Sequence, residues 1–147
     1  MKPATFLRIA SVITFFFFAG HTSGIPWTPD VGPTMMPVID AMKSNAFDAV
    51  GSSRTLWDFY FGFGLTISLY LLLLAVLLWQ LASFAKTDAL RLRPMIASFL
   101  VAFVVNTVLA WKYFFIIPVV TSGAISLCLA LALVTARQRK PDMRDDS

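Results

Sequence analysis

The chain has 147 residues, of which 58% are hydrophobic and only 14% charged, with a net charge of +4. Soluble domains carry roughly a quarter charged residues, so this composition excludes an ordinary soluble domain and points to an all-α integral membrane protein. The positive balance does not point to nucleic acid. No basic run is interleaved with stacking aromatics, and nine of the twelve Lys/Arg flank hydrophobic blocks: Lys2 and Arg8; Lys86, Arg91 and Arg93; Arg137, Arg139, Lys140 and Arg144.

Taken in order, the first block spans about residues 6–21 and includes four consecutive phenylalanines, Phe15 to Phe18. Its basic flank would suit a cleaved signal peptide, but the small-residue cleavage pattern is poor. A retained span also gives an even number of crossings, which puts all three basic clusters on one side. An outer loop, 22–56, follows. Its Pro/Gly-punctuated start should be irregular. From about 37 to 50 apolar residues recur at three and four, predicting an amphipathic helix with Pro37 at its start and Gly51 as its stop.

The second span, about 57–82, is the centre of the chain. It runs without a charge from Phe59 to Trp79, about twenty residues, which at 1.5 Å per residue cover the roughly 30 Å hydrocarbon core. Gly62 with Thr66 and Gly64 with Ser68 place small residues four apart, a close-packing face. After a short basic connection, Pro94 starts a third span to about Trp111. Trp111, Lys112 and Tyr113 make a tight outer turn, and a fourth span covers about 114–136, with Ser122, Ser126 and Ala130 on one face. Residues 137–147 are a polar cytoplasmic tail. The expected architecture is one domain, 1–136, an up-and-down bundle of four transmembrane helices. Basic residues held in the cytoplasm put both termini there. Trp27, Trp57 and Trp111 at the outer boundary, with Trp79 at the inner one, fit aromatic belts.

Polar groups concentrate toward the outer ends of the spans. His21 ends the first. Arg54, Trp57, Asp58 and Tyr60 open the second, with Arg54 and Asp58 four apart and so expected on one helical face. Asn106 lies in the outer half of the third. Polar residues at membrane depth usually face the bundle interior, so His21, Arg54, Trp57, Asp58, Tyr60 and Asn106 are the candidate ligand-binding residues of an outward-facing pocket. A hydrogen-bonded network that merely joins the helices predicts the same residues. One cysteine, Cys128, and one histidine exclude a closed structural zinc site, and no phosphate loop, dinucleotide fingerprint, nucleophile elbow or haem-attachment motif occurs. No metal or cofactor is expected.

The stretch Phe47–Asp48, Gly51, Arg54–Thr55, Trp57–Asp58, Tyr60 and Gly62–Phe63–Gly64, with Gly20–His21–Thr22 at the end of the first block, resembles a signature of small bacterial four-span membrane proteins of about this length. The resemblance implies the bacterial inner membrane and this layout, and no activity. It covers the whole chain in layout, while the motif itself occupies only the stretch from Phe47 to Gly64.

Two functional classes follow. One is a non-catalytic protein that binds lipid or an apolar small molecule in its outer half, or associates there with a membrane protein partner or its own copies. The other is a small membrane enzyme using His21 and Asp58 as an acid–base pair. A structural subunit of a larger complex fits the small-residue faces equally well.

Overall fold

A computed structural model describes residues 2–24 and 32–136. It is all-α apart from one small hairpin. The order is α1 (Pro3–Gly24), α2 (Met36–Ser44), β1 (Ala46–Asp48), β2 (Ser53–Thr55), α3 (Leu56–Phe84), α4 (Arg93–Tyr113) and α5 (Ile116–Thr135). Four helices, α1, α3, α4 and α5, are long and apolar enough to cross a membrane, as a multi-pass membrane protein requires. Trp27 and the polar tail from Arg137 onward lie outside the described residues.

The chain divides into two compact units. One comprises the chain up to Phe15 together with Leu74 onward; the other is Phe16–Leu73. In the first, α1, α3, α4 and α5 share one hydrophobic core around Leu7, Leu78, Ile96, Phe103, Ile125 and Leu129. Packing is antiparallel. Ser11 Oγ donates to Ala75 O at 2.7 Å, with Arg8 stacked on Trp79 one turn away. Asn106 Nδ2 donates to Ser122 Oγ at 2.7 Å, and Arg93 Nη1 to Ala136 O at 3.2 Å.

The buried positions repeat every three and four residues: Ala4, Leu7, Ser11 and Thr14 on α1; Leu71, Ala75, Leu78 and Ala82 on α3; Ser122, Ile125, Leu129 and Ala132 on α5. That spacing forms a seam along each helix, with small residues such as Ala4, Ser11, Ala75, Ala82 and Ser122 among the buried positions. The rest of each helix is left apolar and open. Only 28%, 28%, 17% and 22% of the four apolar windows are buried, so most of their surface is unburied by the chain itself.

In the second unit the expected amphipathic helix is shorter. It stops at Ser44, because both the backbone N–H of Asn45 and its Nδ2 turn back to Ala41 O, at 3.2 and 2.8 Å. The apolar residues that continued the helical pattern, Ala46 and Phe47, instead enter a hairpin pairing Ala46 with Thr55, Phe47 with Arg54 and Asp48 with Ser53. Gly51 does not stop a helix; with Val50 it forms the two-residue turn, φ +81° and +54°, closed by Ala49 and Ser52 bonding to each other. Left-handed φ at both positions is the turn geometry that matches strand twist. Asp48 Oδ1 accepts the Gly51 N–H at 2.7 Å and locks it.

The connection between the third and fourth spans also differs from expectation. Trp111, Lys112 and Tyr113 remain helical, and only Phe114 and Phe115 are extended between α4 and α5. Proline has no N–H to bond and fits the first turn of a helix, and Pro118 fixes the start of α5 two residues before it.

Candidate functional site

His21 lies in the last turn of α1, half-buried, with Nδ1 3.0 Å from Ser68 Oγ of α3. Thr22 Oγ1 donates to the same oxygen at 2.9 Å. Ser68 is only 7% exposed, so the hydroxyl serves two partners in a largely dry setting. A hydroxyl offers one donor and two acceptor positions. It can accept from Thr22 while donating to an unprotonated Nδ1, or accept from both when Nδ1 carries the proton. Ile67 and Leu69 flank Ser68 on α3, and this trio joins α1 to α3 through side chains. Ser68 is the residue the sequence reading missed as a polar centre. It was visible there only as a small partner of Gly64, with which it shares the buried face of α3.

Asp58 has a different job. Its Oδ2 accepts the Thr55 backbone N–H at 2.8 Å, while its own N–H donates to Thr55 Oγ1 at 3.1 Å. This reciprocal pair is a capping box at the start of α3, satisfying donors that a helix start otherwise leaves open. The signal was in the sequence, as Thr55 three residues before an acidic side chain ahead of an apolar run. Arg54 does not share a helical face with Asp58, because it sits in β2, before the helix begins; its Nη1 donates to Ser53 O at 2.8 Å. Trp57 and Tyr60 follow on α3, rings 5.2 Å apart, with Lys43 Nζ of α2 4.6 Å over the Trp57 ring. Phe47 of the hairpin stacks on Phe59, 5.9 Å between centroids and 12° between planes, and Phe59 leads to Phe63.

The six candidate residues therefore fall into three places. His21 is on Ser68; Arg54, Trp57, Asp58 and Tyr60 are at the junction of hairpin and α3; Asn106 is in the α4–α5 seam of the other unit, bonded to fully buried Ser122. Asp58 and Ser68 are ten residues apart on α3, which is about 15 Å of helix, so the structure does not bring His21 and Asp58 within proton-transfer reach. Among the described residues, no three His, Cys, Asp or Glu side chains converge.

Comparison with family models, with curated proteins and with solved structures finds no match to this chain.

Proposed function

We propose that this chain is a non-catalytic membrane protein of the bacterial inner membrane, with both termini cytoplasmic, that binds a small apolar or amphiphilic molecule where His21, Thr22 and Ser68 meet. The observation that carries this reading is a half-buried imidazole bonded to a buried hydroxyl between two mainly apolar helices. An ionisable group in a span is costly to bury and is a candidate site of function. The ligand is mainly apolar, as the surrounding helices are, with one hydrogen-bonding group to exchange for the bond between His21 and Ser68. The aromatic set Trp57, Tyr60, Phe59 and Phe63 at the start of α3 suits the interfacial level at which such a molecule would enter. An acid–base enzyme using His21 with Asp58 is disfavoured, because the carboxylate is committed to the start of α3.

Native mass spectrometry of the protein released from its own membranes tests this. A bound mass carried by the wild type and lost in His21→Ala and Ser68→Ala, but kept in Asp58→Asn, supports the reading. Bare protein in every case, with the His21 and Ser68 variants only less heat-stable, makes the trio a helix-joining network and sinks it.

A further inference from the structure

In the unit that holds the common core, the first half of α1 and the last third of α3 leave an open cleft of about 390 Å³. Ser11, Val12 and Phe15 form one wall and Ala75, Val76 and Trp79 the other. The Ser11 hydroxyl already donates to Ala75 O, so the walls offer a ligand mainly apolar contact. One end is different. Gln80 completes the lining, and beside it the Arg8 guanidinium, not itself a lining residue, sits 5.2 Å from the centroid of the lining Trp79 ring. The ring attracts the cation but offers the fork of N–H donors no acceptor in its plane. Arg8 Nε is buried and has no hydrogen-bond partner among the described residues. A buried donor left unsatisfied is costly, more so on a charged group. Lys86, Arg91 and Arg93 follow α3 directly, and the single acid among them, Asp88, is held by Arg91 at 2.9 Å.

We propose that this cleft binds an anionic phospholipid, with an acyl chain along Val12, Phe15 and Val76 and the phosphate accepting hydrogen bonds from Arg8 and Gln80. The occupant must be apolar over most of its length and present anionic oxygens at one end. Guanidinium and phosphate match as paired donors and acceptors, Trp79 is of the type that seats at head-group level, and basic segments beside spans concentrate anionic lipid. The site shares no residue with the His21–Ser68 cluster and stands independently of it.

The test is to strip lipid from the full chain in detergent, then titrate phosphatidylglycerol and phosphatidylcholine, reading occupancy by native mass spectrometry. The wild type should prefer phosphatidylglycerol by about tenfold, because the choline cation of phosphatidylcholine offsets the phosphate charge that Arg8 attracts. Arg8→Gln should remove the preference while still binding phosphatidylcholine, Arg8→Lys should restore part of it, and Arg91→Gln should leave it intact. Val76→Trp, at a half-exposed cleft position, should lower occupancy by both lipids without unfolding the protein. The proposal falls if Arg8→Gln keeps the preference, or if Val76→Trp binds both lipids as the wild type does. It also falls if inorganic phosphate at millimolar concentration abolishes the preference, or if the preference emerges only after residues 141–147, with their three aspartates, are removed.

Discussion

Asp58 and Val50 show what single residues do in the hairpin and at the start of α3. The Thr55–Asp58 exchange satisfies two donors at once, so Thr55→Ala should lower stability by about 1 kcal/mol. Combined with Asp58→Asn it should cost less than the sum, since the two residues serve one another. Thermal unfolding in detergent of the two single variants and the double reads this directly; additive losses would deny the reciprocity. Val50 is the converse. It is fully exposed at φ +54°, a left-handed conformation that costs an L-residue about 1–2 kcal/mol. Val50→Gly, or Val50→Asn, should slow hydrogen exchange of the Ala49 and Ser52 amides, because neither replacement resists the turn as valine does. Faster exchange in both variants would mean that the valine side chain holds the turn by a contact outside the described residues.

At the scale of elements, the four spans were legible from the sequence because lipid selects for uninterrupted apolar length, a signal that needs no knowledge of neighbours. The loop was not, and the reason is specific. Ala46, Phe47 and Val50 continue a helical spacing as well as they fit a hairpin; the decision rests on Asn45 closing α2 and on Asp48 holding the Gly51 N–H. Both are bonds that periodicity cannot represent. The same limit hid the candidate site. His21 was conspicuous as the only imidazole, while Ser68, the oxygen it bonds, looks like any small residue in a packing face until the antiparallel register of α1 and α3 is known. Within the seams the consequence is quantitative. Leu129 is fully buried and Leu127 62% exposed on the same helix, so Leu129→Ala should cost about 2–5 kcal/mol as a cavity-forming change, and Leu127→Ala little. Equal losses in detergent unfolding would show that α5 buries both faces against a partner.

For the whole molecule, the arrangement of charge makes the threading testable. Lys2, Lys86, Arg91 and Arg93 flank helix ends that antiparallel packing brings to one side of the common core, whereas Lys112 closes α4 at the other. In a Cys128→Ser background, a cysteine at Thr87 should be labelled by a membrane-impermeant thiol reagent only after cells are opened, and one at Tyr113 in intact cells. The reverse pattern would invert the protein. The two-residue join at Phe114 and Phe115 also sets an order in time. α4 and α5 are neighbours along the chain and bond across sixteen positions at Asn106 and Ser122, while Ser11 and Ala75 must find one another across sixty-four. Closing short separations is faster than closing long ones. Once its two helices are inserted, the α4–α5 seam thus closes faster than the α1–α3 seam, whose partners lie farther apart along the chain. Until α3 packs beside them, Arg8 and Ser11 are without the partners that Trp79 and Ala75 supply.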